Sequence, residues 1–443
     1  MLRLLAPIAA AMLVLAARGA AAQTPPVDLS SFYHALTTGV GARAWGMGGT
    51  QIALADAAEA STWNPAAPAG INRPAALGVL SGDRLTGEYD PVRFTLSSGP
   101  TGSITPGPTT ASASRLQALQ FGYPLRVAGR RLVAGIAYRR RLSLPSRTDA
   151  EYLFRNQSLY RFDYDYSYGA RGSGGFDTIG LSVASNLGHG IRAGATVHRW
   201  FGTVSSSYRE SYQYSVANYY GWDGAWSEGF GDDLRFEMSG FSMDLGAQFA
   251  ARDRYFAGVV FRSRTSAKVE YSNAATYDDS HTSRRAAAGH SGRGTLTLPA
   301  SLGAGFAVRF EDRLTLAVDA TWAFWSGATL DGYARATALG DVPQAAGLAY
   351  PTQTPAGLPA QSDTGRGSAG LEYSVTLGRL RIPLRTGVSY QQAYDHTGSS
   401  GVAASAGAGV RWRGLVLDAA WVRETGSGRY TRQSLVSSVG WTF

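Results

Sequence analysis

Between Arg313 and Ala323 the chain reads RLTLAVDATWA, and its residues sort by parity. Leu314, Leu316, Val318, Ala320 and Trp322 fall on one side of an extended strand, and Arg313, Thr315, Asp319 and Thr321 on the other, because successive Cβ atoms point to opposite faces. The pattern recurs with Ile191, Ala193, Ala195 and Val197 against Arg192, Thr196 and His198, and with Ile382, Leu384, Val388 and Tyr390 against Arg381, Arg385 and Ser389. A chain written this way is predicted to be all-β. Two architectures satisfy it. In a water-soluble sandwich the apolar face is the core; in a membrane barrel it meets lipid and the polar face lines a lumen. Alternation alone does not choose between them.

The connections favour the barrel. Short turns near 127–130, 187–189, 251–253, 311–312, 377–380 and 413–414 alternate with long connections at 82–114, 145–175, 205–239, 273–297 and 328–365, and with two shorter ones near Asp395 and Gly426. Periplasmic turns and extracellular loops alternate in this way, whereas a compact soluble domain seldom carries so many long connections. Tyr123, Phe249, Phe310 and Trp412 stand near the short turns, as an interfacial aromatic girdle requires. At the end of the chain Leu435, Val439, Trp441 and Phe443 share a face, a terminal strand of the kind that barrel-assembly machinery engages.

The first residues supply the export address. Arg3 precedes the apolar run 4–17, and Ala20, Ala21 and Ala22 form a small-residue cleavage site, so 1–22 is predicted to be a cleaved signal peptide. The chain has no cysteine, which excludes disulfides, thiol catalysis and thiolate metal sites. Its formal net charge is +9, and loss of Arg3 and Arg18 with the leader leaves 9 − 2 = +7. Lys268 is the only lysine; the rest of the positive charge is arginine. For an exported chain this points to lipid phosphates, lipopolysaccharide and anionic ligands, with no nucleic acid among its partners.

One stretch departs from the strand pattern. Residues 41–70 read GARAWGMGGTQIALADAAEASTWNPAAPAG, rich in glycine and alanine and poor in large apolar side chains. Gly41, Gly46, Gly48 and Gly49 permit tight turns and close packing. Asp56 is placed to cap a short helix, and Asn64-Pro65 to end it and open another. A segment this small buries no core of its own and needs an enclosing wall.

This run resembles the N-terminal signature of the FadL family of outer-membrane hydrophobic-compound transporters and of PorV-like relatives. A second block, LPASLGAGFAVRFEDRLTLAVDATWAFWSG at 298–327, resembles a strand pair of that family, while Pro68 departs from its usual run after Asn-Pro. The resemblance implies a bacterial outer-membrane, multi-pass antiparallel β-barrel of about fourteen strands over 74–443, with residues 23–73 as a luminal plug or hatch. Gly41, Arg43, Gly46, Gly48, Gly49, Asn64, Pro65 and Ala66 carry the hatch motif. The implied function is passive uptake of hydrophobic small molecules, long-chain fatty acids or similar, caught on extracellular loops and passed by hatch movement. The alternative is a PorV-like barrel serving as a secretion partner or surface anchor.

Little else in the sequence suggests chemistry. The six histidines, among them His34, His281 and His396, show no metal-ligand spacing. Gly39-Val-Gly41-Ala-Arg-Ala44 matches GxGxxA without the preceding strand that a dinucleotide fold needs, and neither a phosphate-binding loop nor a nucleophile elbow is present. The expectation is a non-enzyme without cofactor. For ligand capture the candidates are Tyr212, Tyr219, Tyr220, Trp222, Trp226 and Phe230, crowded in the third long connection. For lumen charge they are Arg139, Arg192, Arg381 and Arg385, able to bind a carboxylate or to brace the hatch.

Overall fold

The structure, a computed structural model, describes residues 38–443 except 55–57, 88–91, 96–100, 105–108, 144–145, 158–160, 220–221, 281–283, 312, 333–361, 393–399 and 427–429. The leader, Asp56 and Tyr220 therefore lie outside the described residues. β1 (Ala75–Gly87) begins the wall, and β2 (Val92–Thr95) pairs with β3 (Thr101–Ile104) in a small separate hairpin. There follow β4 (Thr109–Val127), β5 (Arg130–Ser143), β6 (Ser146–Gln157), β7 (Arg161–Gly188), β8 (Ile191–Tyr219) and β9 (Trp222–Ala251). Next come β10 (Tyr255–Arg262), β11 (Thr265–Asp279), β12 (Arg284–Leu298), β13 (Ser301–Phe310), β14 (Leu314–Ala323) and β15 (Thr329–Asp331). Three further hairpin partners and their neighbours, β16 (Thr364–Leu377), β17 (Leu380–Gln391), β18 (Gly401–Trp412), β19 (Leu415–Gly426) and β20 (Tyr430–Thr442), complete the sheet.

Every pairing is antiparallel. β10 and β11 both pair with β9, while β13 and β12 pair with β10 and β11 respectively, so each couple is one wall strand with a break. β5 and β6 are likewise successive partners of β7, and β15 continues the path of β14 against β12. The wall thus has fourteen strands. It closes on itself, with Ala75 of β1 opposite Gly122 of β4 on one side and Thr442 of β20 on the other.

Six tight turns lie on one rim, here the turn rim, where Ala128, His189, Arg252, Asp253, Glu311, Gly378 and Arg413 adopt positive φ. The opposite, loop rim differs from expectation. Much of what reads as long connections at 145–175, 205–239 and 273–297 is strand, because β7, β8 and β9 run for 28, 29 and 30 residues. At roughly 3.3 Å per residue these strands are about 90–100 Å long, far more than a tilted strand needs to cross a hydrocarbon core of about 30 Å. Tyrosine pairs such as Tyr164↔Tyr214 and Tyr166↔Tyr212 sit in this extension.

The two faces of the wall are inverted relative to a soluble protein. On β14, Leu316, Val318 and Trp322 are 41%, 52% and 45% exposed, while Thr315, Asp319 and Thr321 are buried. β8 and β17 repeat this, with Val197, Leu384 and Val388 outside and Thr196, His198 and Arg385 inside. An exposed band of this size cannot face water without association, and this decides for the membrane barrel. Tyr123, Phe249, Phe310, Trp412 and Trp441 are exposed beside the turn rim.

One ladder is incomplete. β4 and β5 pair from Val127↔Arg130 as far as Ala118↔Arg139 and no further. β5 shifts register between Arg140 and Leu142 and continues with β7 alone. This leaves a seam in the wall about halfway up.

Candidate functional site

The segment ahead of β1 packs on the buried face of the wall. α1 (Ala42–Gly46) is followed by a turn through Gly48 and Gly49, and two 3₁₀ helices follow at Ala58–Thr62 and Ala67–Gly70. Gly48 has φ +70°, and a Cβ there would stand 2.6 Å from the Val388 carbonyl oxygen, so close approach and backbone sign both demand glycine. The wall answers in kind. A Cβ on Gly194 would collide with Pro65, on Gly246 with Asn64, on Gly258 with Ile52, and on Gly370 or Gly387 with Met47.

Its anchors come from all round the barrel. The Ala42 amide donates to Ser438 Oγ (2.7 Å) and the Gly48 amide to Ser405 Oγ (3.0 Å). Asp319 accepts from the amides of Gln51 and Ile52 at 2.7 and 2.9 Å. Asn64 donates to the Ile52 carbonyl at 2.9 Å and reaches those of Ala247 and Val259 at 3.2 Å, while its Oδ1 caps Ala66 N at 3.0 Å. Arg43 forks onto Glu372 at 2.9 and 3.0 Å. Arg385 ties the same carboxylate (2.7 Å) to Asp418 (2.7 Å). Two of the candidate residues, Arg43 and Arg385, thus meet in one buried network that braces the segment.

Glu59 was not signalled by the sequence. It is buried, a Cβ on Gly41 would strike its carboxyl group, and neither oxygen has a hydrogen-bond partner. Burial pushes its pKa up from 4.5 to about 7; Asp418 adds to the rise, and Arg43, Arg385 and Arg411 oppose it.

Arg139 belongs elsewhere. On the loop-rim side of the segment lies a cavity of about 110 Å³, bounded by Thr38, Gly39 and Trp45 and by the seam residues of β4 and β5. Six arginines line it, Arg115, Arg139, Arg140, Arg141, Arg366 and Arg432, against two carboxylates, Asp83 and Glu424. Asp83 pairs with Arg115 and lies 3.5 Å from Arg432. Arg140 is held by Asp177 at 2.7 and 2.9 Å, and Arg141 lies over the Trp200 ring at 5.2 Å. Arg139 is 5% exposed, donates to the Thr38 carbonyl, and has an Nε without a partner. The cavity borders apolar material, since Leu142 lines it and belongs with Phe176, Trp200, Phe236 and Trp325 to a buried cluster toward the loop rim.

The remaining candidates do not converge. Arg192 and Arg381 sit half-buried at the turn rim, away from the cavity. Tyr212, Tyr219, Trp222, Trp226 and Phe230 are on β8 and β9, in a paired hairpin in place of the expected loop; Trp226 and Phe230 are half-buried. Among the described residues no group of three His, Asp or Glu could hold a metal ion.

No family model and no curated protein matches the chain. Solved structures do. The chain is similar to a Pseudomonas aeruginosa FadL homologue, with 16% identity and a TM-score of 0.60 over 92% of this chain and 99% of that one. It is similar to the Pseudomonas putida toluene transporter TodX, with 15% identity and a TM-score of 0.54 over 95% and 99%. With the Ralstonia pickettii toluene transporter TbuX the values are 16% and 0.53 over 92% and 99%. At such identities the likeness is one of fold, and it runs almost the full length of each pair.

Proposed function

We propose that this barrel, which shares its fold with outer-membrane channels, is a passive outer-membrane channel for small hydrophobic molecules that carry an acidic head. The observation that carries the reading is the arginine-lined cavity set against an apolar cluster inside a wall whose outer face is apolar. Guanidinium groups bind carboxylate or phosphate oxygens in pairs, and an alkyl or aromatic tail has apolar side chains to lie on next to them. The cavity holds only about three or four waters, enough for a head group, so passage of the whole molecule needs movement.

Two movements are available. The segment 38–71 acts as the plug, and its displacement would break the Arg43–Glu372 fork and the Asp319, Ser405 and Ser438 hydrogen bonds together. The seam between β4 and β5 already lacks its ladder, and it borders the cavity. The lower cost favours exit through the seam with the plug in place.

Uptake into vesicles carrying the purified protein tests both parts. A labelled long-chain carboxylate is expected to enter faster than into empty vesicles, and Arg139→Gln to slow it about tenfold, the cost of one charge-assisted hydrogen bond of roughly 1.5 kcal/mol. Equal rates in loaded and empty vesicles would refute the channel. A disulfide between Ala42→Cys and Ser438→Cys should leave uptake intact if the seam is the route and stop it if the plug must leave.

A further inference from the structure

The positive charge of this protein is concentrated on one rim. Counting the residues of each tight turn and two on either side, the turn rim holds Arg126, Arg130 and Arg131 at the first turn and Arg192 at the second. The third has Arg252 and Arg254, the fourth Arg309 and Arg313, the fifth Arg379 and Arg381, and the sixth Arg411 and Arg413. The same windows contain three acids, Asp253, Glu311 and Asp312. The chain has 41 basic and 32 acidic residues; 41 less 12 leaves 29, of which Arg3 and Arg18 belong to the predicted leader, and 32 less 3 leaves 29. Outside the rim the mature chain therefore has 27 basic and 29 acidic residues, and the rim's excess of nine accounts for the whole positive balance.

We propose that the exposed arginines of this rim, Arg252, Arg254, Arg379 and Arg413 among them, bind the phosphate groups of anionic phospholipids in the membrane leaflet at the turn rim. The inference rests on reading the molecule as a membrane barrel, and it goes beyond uptake. Three observations favour lipid over an acidic protein. Exposed arginines occur at five of the six turns, with Arg130, Arg252, Arg313, Arg379 and Arg413 among them, while Arg192, Arg309 and Arg411 turn toward the lumen. The exposed set runs most of the way round the barrel, whereas a docked protein needs a patch on one side. Two lie against outward-facing rings at the edge of the apolar band: Arg413 over Trp412 at 5.1 Å and Arg254 over Phe310 at 5.9 Å, the two rings being 46% and 40% exposed. Those rings mark the plane where acyl chains give way to head groups. And every rim cation is arginine, whose planar fork grips two phosphate oxygens where lysine offers a point charge.

The test uses the full chain folded into vesicles of equal phosphatidylcholine and phosphatidylglycerol, with the phospholipid retained after mild detergent extraction counted per protein. Phosphatidylglycerol should be enriched at least fivefold over phosphatidylcholine at 50 mM salt, and the enrichment should shrink toward unity at 500 mM as the charges are screened. The combined variant Arg252→Gln, Arg254→Gln, Arg379→Gln and Arg413→Gln should keep folded mobility on gels and lose most of the enrichment. No enrichment on the native protein, enrichment indifferent to salt, or an unchanged preference in the folded variant would each overturn the proposal. Preference for an acidic polypeptide such as polyglutamate with no lipid enrichment would overturn it in favour of a protein partner. Because the salt series uses the native chain, a variant that fails to fold leaves that arm decisive. Failure of the native chain to insert into either lipid would sink the barrel reading itself.

Discussion

Glu59 shows how far a residue's character depends on what encloses it. Nothing in the run AAEAST marks Glu59 for burial, and only the wall removes its water. Because burial raises its pKa from 4.5 to about 7, the folded chain holds this proton more tightly than the unfolded chain does. Its contribution to stability is therefore greatest below pH 4.5, declines as pH rises toward 7 and stays low above that, a span of roughly 3 kcal/mol in the limit. Hydrogen exchange of residues 42–52, corrected for intrinsic rate, should accelerate between pH 5 and pH 7.5, and Glu59→Gln should remove that dependence; a slope that survives the substitution would acquit Glu59. The glycines behave differently, since their role was legible. Gly48→Ala places a methyl group against Val388 at positive φ, and it should loosen the segment by more than about 1 kcal/mol in the same measurement at fixed pH.

Among the elements, strands with an aliphatic face were readable and those with a tyrosine face were not. β14 and β17 alternate Leu, Val and Trp with charged or hydroxyl residues, so period two is plain. The upper parts of β7 and β8 alternate tyrosine with Asp, Ser and Gln, polar on both sides, and read as loops although tyrosine is a strong strand former. What fixes them is pairing across long sequence separations, such as Arg161↔Ala217, which no local window contains. The arginine cavity was hidden for the same reason: its cations come from β4, β5, β16 and β20 and the rest of its lining from β1, β17, β18, β19 and the segment ahead of β1, and of the cations only Arg139 is a sequence candidate. At this scale the lipid-facing assignment can be tested on a single side chain. Val318→Arg, in the middle of β14 and pointing outward, should lower stability by about 2–4 kcal/mol in reversible urea unfolding from lipid vesicles; a cost below about 0.5 kcal/mol would mean that face does not meet acyl chains.

For the molecule as a whole, the inversion of its faces sets the logic. Burying arginines, aspartates and serines in the lumen is tolerable because carboxylates of the wall have cations or amides to meet, as Asp319 and Glu372 do. The fit between segment and wall has a further consequence, for heredity. Gly194, Gly246, Gly258, Gly370 and Gly387 are far from residues 47–65 along the chain, yet each lacks a side chain because of them. A mutation that enlarges one partner is tolerated only after the other has yielded. Across descendants of this chain the two stretches should drift as a couple, and any lineage that discards the segment should be free to let methyl groups back into those positions of the cylinder.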